Sequence, residues 1–217
     1  MGIDDAGRGP VIGPMILAGC LLDGKTEVEL RRLGVRDSKQ LTPKRREFLA
    51  DEIRKSAKSF EVNLTSPDEI EKMNKEGVKL NEVEAIKVAK IINKINDGKK
   101  KIKVIVDCPS VSLIKWADYL KTLIDNLSNL EISCEHKADR NHISVSAASI
   151  LAKSRREEEM DKLKEKYNEK MGSGYPADPV TIKFLKKNAK KYENEGIFRK
   201  TWSTWKKYAP GIEQKKL

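Results

Sequence analysis

Four aspartates stand where an α/β chain keeps its chemistry. Asp4 and Asp5 close a short apolar segment and precede a glycine-rich turn, Asp107 ends the run Val104-Ile105-Val106, and Asp139 follows Glu135-His136-Lys137-Ala138. In open α/β sheets, ligands gather beyond the carboxyl ends of the strands, so carboxylates from three strand ends can converge there. Converged carboxylates repel one another unless they protonate or share cations. Oxygen donors favour magnesium or manganese, so a converged cluster reads as a hard divalent-cation site. Taken singly, Asp107 and Asp139 read as turn formers or helix N-caps ahead of ligands. Asp4 and Asp5 are adjacent, and strand neighbours point to opposite faces, so both serve one centre only at a twisted strand end.

The elements that must carry these residues alternate between strands and helices, an α/β pattern. Residues 2–6 and 15–22 read as strands flanking the turn Gly7-Arg8-Gly9-Pro10. Thr42-Pro43, Ser66-Pro67 and Asp178-Pro179 each pair an N-cap residue with a proline at the first helical position. Ser66 with Glu69 has capping-box spacing. Residues 59–64 read as a strand, and Val88, Ile91, Ile92 and Ile95 give helical spacing after Asn81. Residues 102–106 read as a buried strand, and residues 131–135 as a further strand. Leu113, Trp116, Leu120, Leu123, Ile124 and Leu127 trace an amphipathic stripe. Residues 144–167 read as one long helix. Its Ser- and Ala-rich first half suits close packing, and its second half, residues 155–166, is charged and solvated. Residues 180–217 are too few for a separate core, so they read as a basic helical appendage to a body of residues 1–179.

Composition narrows the class. The chain has 217 residues, 38% of them hydrophobic, with Lys and Arg numbering 44 against 33 acids. Its longest apolar stretch is far shorter than the ~20 residues of a membrane span. Asp4 and Asp5 stand where a secretory signal needs basic residues. Cys20, Cys108 and Cys134 match no zinc spacing and no disulfide framework, so the expected compartment is the reducing cytoplasm. From Val180 onward, eleven Lys/Arg face three Glu, a net of +8 out of the chain's +11. Such a tail suits a polyanion, nucleic acid being the commonest; charge alone does not choose between that and a lysine-rich solvated surface.

Five blocks, in order, carry a family resemblance. They are Gly2-Ile3-Asp4-Asp5-Ala6-Gly7-Arg8-Gly9-Pro10, then Asp37-Ser38-Lys39-Gln40, then Val106-Asp107, then Glu135-His136-Lys137-Ala138-Asp139 with the Ser/Ala helix after it, and Gly172-Ser173-Gly174-Tyr175-Pro176. Together they resemble the type 2 ribonucleases H, the ribonuclease HII family, in an archaeal-like form. The resemblance implies a ribonuclease H-like fold, a mixed five-stranded sheet flanked by helices with a helical C-terminal region. It implies endonucleolytic hydrolysis of RNA in RNA–DNA hybrids, or 5′ of a ribonucleotide in duplex DNA, leaving 3′-hydroxyl and 5′-phosphate ends. Asp4, Asp5, Asp107 and Asp139 would be the catalytic metal ligands, holding Mg2+ or Mn2+ in a two-metal mechanism. Gly7, Arg8 and Gly9 would read the 2′-hydroxyl that separates RNA from DNA. Tyr175 would pack on the neighbouring deoxyribose, and Lys39 would contact a phosphate. Without the family pattern these are a hairpin turn, a loop aromatic and a solvated lysine.

One residue departs from the family motif, which has glutamate where this chain has Asp5. The missing methylene shortens the reach by about 1.5 Å. The alternative reading is therefore a hybrid-binding protein with a weakened site. Another nuclease or transferase on the same fold would suit the acids but not the Gly-Ser-Gly-Tyr-Pro loop. His136 is expected to be structural, and Met15, Met160 and Trp116 to be core. Trp202 and Trp205 are expected to pin the tail. Gln214-Lys215-Lys216-Leu217 has the glutamine and aliphatic spacing that opens a sliding-clamp-binding box, without the paired aromatics that follow it; a coincidental basic terminus is the better reading of it.

Overall fold

The computed structural model describes residues 1–36 and 41–209. Fourteen elements follow in chain order: β1 (Gly2–Ala6), β2 (Met15–Leu21), α1 (Gly24–Arg32), α2 (Pro43–Ser56), β3 (Ser59–Thr65), α3 (Pro67–Lys75), α4 (Leu80–Ile95), β4 (Ile102–Asp107), α5 (Leu113–Thr122), β5 (Leu130–Glu135), a 3₁₀ turn (Ala138–Arg140), α6 (Ile143–Tyr167), α7 (Pro179–Asn188) and α8 (Ser203–Tyr208). Two compact units result, one made of Met1–Ala6, Ile16–Leu64 and Val78–Arg155, the other of Gly7–Met15, Thr65–Gly77 and Arg156–Leu217.

The first unit is built on the sheet, whose strand order is β3-β2-β1-β4-β5. β1 runs antiparallel to β2 and parallel to β4, and β5 is parallel to β4, so the sheet is mixed as expected. Strand alternation sorts its residues onto two helical layers. Ile16, Ala18 and Cys20 pack with Leu49 and Ile53 of α2 and with Ala147, Ala148 and Leu151 of α6. On the opposite face Gly19 lies so close to α4 that a Cβ there would stand 2.4 Å from Ile91 Cγ2. The small residues of α6 do what their size allows: a Cβ on Gly2 would fall 2.1 Å from the carbonyl carbon of Ser144. Trp116 is buried, and its indole N–H donates to the Asn81 carbonyl at 2.8 Å.

The second unit has its own core of Val11, Ile12, Met160, Met171, Phe184, Leu185, Phe198 and Trp205. Trp205 is buried in this cluster and Trp202 packs partly buried against it, so both join the tail to Val11, Ile12 and Met160 as expected. The Trp205 and Phe198 ring centroids lie 4.6 Å apart, a pair that adds about 0.5–1.5 kcal/mol to what area burial alone gives.

The three proline-marked caps form. Thr42 accepts from the Arg45 N–H at 3.3 Å, Ser66 from Glu69 at 3.1 Å and Asp178 from Val180 at 2.9 Å, each cap contributing about 1 kcal/mol. Two expectations need correction. The stripe from Leu113 to Leu127 leaves the helix after Thr122: Asn93 holds the Leu123 carbonyl, Asn126 accepts from the Ser128 N–H, and Leu127 is exposed. These side chains offer the backbone a partner that helix propagation does not. Nor is the second half of α6 wholly solvated, because Arg156 and Met160 are buried. Among the described residues no helix is long and apolar enough to cross a membrane.

Candidate active site

The acidic group belongs to the first unit. Parallel pairing sets Gly2 beside Ile105 and Ile3 beside Val106, so Asp4 and Asp107 come next on neighbouring strands, Asp107 ending β4 and paired with Glu135 of β5. Asp4 and Asp5 do not close β1 as expected but lie inside it, opposite Ala18 and Leu17 of β2. Asp4 lies on the α6 face, where the Ser149 hydroxyl donates to its carboxylate; the Asp5 N–H donates to Asp4 Oδ1 at 2.7 Å. Asp4, Asp5 and Asp107 nevertheless line one small cavity, with Glu84 and Trp116 across from them. The Ala138 N–H donates to Asp107 Oδ1 at 3.0 Å, which brings the 3₁₀ turn bearing Asp139 to the end of β4. Asp139 itself is buried, and its carbonyl accepts from the Ser146 hydroxyl at 2.5 Å.

Burial, followed by the charges of Asp5 and Asp107, holds the Asp4 carboxyl well above the usual carboxylate range. An ionised Asp4 is thus a strained charge. Among the described residues, no group of three or more His, Cys, Asp or Glu is drawn close enough to hold a metal ion. The donor set is nonetheless suited to one: every candidate ligand is a carboxylate, and a hard cation offsets both the burial and the like charges that raise Asp4.

Sequence reading passed over two neighbours of this group. Glu84 is 2% exposed, and it falls on the same helical stripe as Val88, Ile91, Ile92 and Ile95; an acid on an apolar face was the available signal. Ser149 hid among the small residues of α6. His136 Nδ1 donates to the Cys108 carbonyl at 3.2 Å. His142 Nε2 donates to Glu135 at 2.8 Å and holds that carboxyl below its usual range.

The recognition candidates gather in the second unit. Gly7 sits at φ +82°, and a Cβ there would meet Arg156 Nε at 2.4 Å and the Pro14 carbonyl oxygen at 2.8 Å. A Cβ on Gly9 would stand 3.9 Å from Tyr175 Cε1, so the structure brings the turn and the tyrosine together. Tyr175 is 40% exposed. The Arg156 guanidinium lies 5.0 Å from its ring centroid and donates through Nη2 to the Ser173 carbonyl at 2.9 Å. The Gly174 carbonyl accepts from the Val11 N–H at 2.9 Å, joining the tyrosine loop to the segment that follows the turn. Behind the loop, Asp178 accepts from the Ser173 N–H at 2.6 Å and from its hydroxyl at 2.8 Å, while Thr181 Oγ1 accepts from the Gly174 N–H at 2.9 Å. The Ser173 N–H is the main reason the Asp178 carboxyl falls to about 2. Asp37, Ser38, Lys39 and Gln40 lie outside the described residues, as do Gln214, Lys215, Lys216 and Leu217.

Comparison with known proteins identifies the family. Residues 1–205 match the family model for ribonuclease HII. The ribonuclease HII of Pyrococcus furiosus is 41% identical over 216 residues, covering 99% of this chain and 93% of that protein. The crystal structure of ribonuclease H2 from Pyrococcus horikoshii superposes with a TM-score of 0.84 at 39% identity, over 96% of this chain and 95% of that one. The ribonuclease HII of Archaeoglobus fulgidus, solved in a complex with PCNA, superposes with a TM-score of 0.79 at 37% identity, over 100% and 97% of the two chains. With matches running nearly end to end at about 40% identity, the mixed sheet and its flanking helices are those of a type 2 ribonuclease H, and the chain belongs to the ribonuclease HII family.

Proposed function

We propose that this endoribonuclease is metal-dependent, cutting RNA within RNA–DNA hybrids and 5′ of ribonucleotides embedded in duplex DNA, with 3′-hydroxyl and 5′-phosphate products. The observation that carries the reading is the cavity lined by Asp4, Asp5 and Asp107, with Asp4 buried, in a chain of this family. Asp4, Asp5, Asp107 and Asp139 would hold Mg2+ or Mn2+. Bound there, a pair of such ions supplies an activated water and neutralises charge on the leaving 3′ oxygen.

The chain's own residues do the remaining work. Ser149 and the Ala138 N–H orient the Asp4 and Asp107 carboxylates, limiting the rotamer freedom that each would otherwise lose on ligation. Gly7, Arg8 and Gly9 bring backbone close to a ribose, where the 2′-hydroxyl distinguishes RNA. Tyr175, presented by a loop that Asp178 and Thr181 hold from behind, offers a flat apolar face to the adjoining deoxyribose. Lys39 meets a backbone phosphate. Residues 180–217 form the basic region that grips the duplex, and salt weakens that grip as phosphate contacts are lost. The terminal Gln214 to Leu217 segment is proposed to engage a sliding clamp, by analogy with the Archaeoglobus fulgidus relative and its PCNA complex.

The test is a DNA duplex containing one ribonucleotide, incubated with magnesium, manganese or chelator. A nick 5′ of the ribonucleotide that requires the metal supports the proposal. Tight binding without a nick in either metal refutes it and favours a duplex-binding protein weakened at Asp5.

A further inference from the structure

One side chain holds the Gly7-Arg8-Gly9 turn from its inner side. Arg199 is fully buried, although it lies in the most basic stretch of the sequence. Its Nη2 donates to the Gly7 carbonyl at 2.6 Å and to the Gly13 carbonyl at 3.0 Å, its Nη1 to the Arg8 carbonyl at 2.8 Å and its Nε to Gly13 at 3.2 Å. The fork is itself anchored. The Arg199 N–H donates to the Val11 carbonyl at 2.9 Å, Phe198 bridges to Ile12, and the guanidinium lies 5.1 Å from the Trp202 ring centroid.

These bonds have a directional consequence. In a trans peptide the carbonyl and the following N–H point in opposite directions across one rigid plane. Drawing the Gly7 carbonyl onto the guanidinium therefore aims the Arg8 N–H away from it. Drawing the Arg8 carbonyl inward does the same for the Gly9 N–H. Two successive donors then face away from the buried fork, beside Tyr175. A lysine could not reproduce this, because its ammonium is a single point and cannot span three carbonyls with planar geometry.

We propose that Arg199 is the positioning residue for ribose recognition: it orients the two peptide planes whose N–H groups meet the 2′-hydroxyl. The inference rests on the reading that this turn contacts the ribose. It assigns the discrimination between RNA and DNA to a side chain that touches neither.

The test measures binding of the full-length protein, in chelator, to two duplexes of one sequence, all-DNA and with a single ribonucleotide. The wild type is expected to prefer the ribonucleotide duplex at least tenfold. Arg199→Met is expected to keep the all-DNA affinity while the preference falls to near one, and Arg199→Lys to lose part of it. A purely structural role would lower both affinities together and leave their ratio unchanged. Thermal melting identifies which variants fold, and Arg199→Lys carries the test if Arg199→Met does not. A folded variant of either kind that keeps the wild-type ratio overturns the role of Arg199 and leaves the ribose reading standing. A wild type with no preference overturns both.

Discussion

At Gly7 the backbone angle of +82° lies where an L side chain costs about 1–2 kcal/mol. An added Cβ would also press on Arg156 Nε at 2.4 Å, Arg156 Cδ at 2.5 Å and the Pro14 carbonyl at 2.8 Å. The arginine is tied to the Ser173 carbonyl and the carbonyl is backbone, so neither yields freely. Overpacking of this kind costs about 1–3 kcal/mol. Gly7→Ala is therefore expected to lose about 2–5 kcal/mol. In a chain of this size that corresponds to a Tm lower by roughly 4–20 °C. Gly9 is different. It lies outside the left-handed region, and its added methyl would meet only Tyr175 Cε1 at an ordinary 3.9 Å. Gly9→Ala should stay within about 0.5 kcal/mol of wild type, yet its methyl occupies the face proposed for the ribose, where a misplacement of about 1 Å costs about 10²-fold in rate. Gly24→Ala, with nothing within 4 Å, serves as the control that changes neither function nor packing. Melting by circular dichroism and nicking of a one-ribonucleotide duplex read the two effects separately. Equal melting of the Gly7 and Gly9 variants would refute the steric argument; a Gly9→Ala enzyme that nicks at the wild-type rate would remove this turn from the ribose.

Three further outcomes are expected. Because the Asp4 carboxyl is raised in the fold, its ionisation opposes folding progressively as pH climbs above the ordinary carboxylate range; Asp4→Asn should be inactive yet more resistant to denaturant than wild type at neutral pH in chelator, a gain that shrinks toward pH 4, and denaturant midpoints across that range decide it. Asp178 behaves oppositely: lowered to about 2, it stabilises the fold above its ordinary value and loses that contribution as pH falls through about 2, so the stability gap between wild type and Asp178→Asn should close between pH 5 and pH 2 in the same measurement. Asp5→Glu should raise the magnesium-supported rate by restoring about 1.5 Å of reach, and an unchanged rate in steady-state nicking would dismiss reach as the defect.

What the sequence disclosed, and what it concealed, follows from the range of each interaction. The caps at Thr42, Ser66 and Asp178 are local, so a polar residue followed by proline announced them. Helix α1 went unnoticed because it buries only Thr26 and Leu30 and its cap, Asp23, has no proline after it. Asp107 was legible as a strand end, whereas Asp4 and Asp5 lie inside β1, and the raised Asp4 carboxyl depends on burial and on charges brought together by strand pairing. In the sequence, Arg156 and Arg199 are indistinguishable from the surface charge around them. Both are buried by carbonyls distant in sequence, and no composition or periodicity signals a guanidinium that turns inward.

The face of α6 that lies on the sheet is lined by Ser144, Ala147, Ala148, Leu151 and Ala152, four of them side chains with one rotatable bond or none. Such residues surrender almost no rotamer freedom on folding, and they contain nothing long enough to swing into a second arrangement. Amide protons of Ile3 to Ala6, and those of the matching helical turns, should accordingly exchange with solvent only when the whole unit opens. The platform beneath the aspartates is stiff because its parts are small.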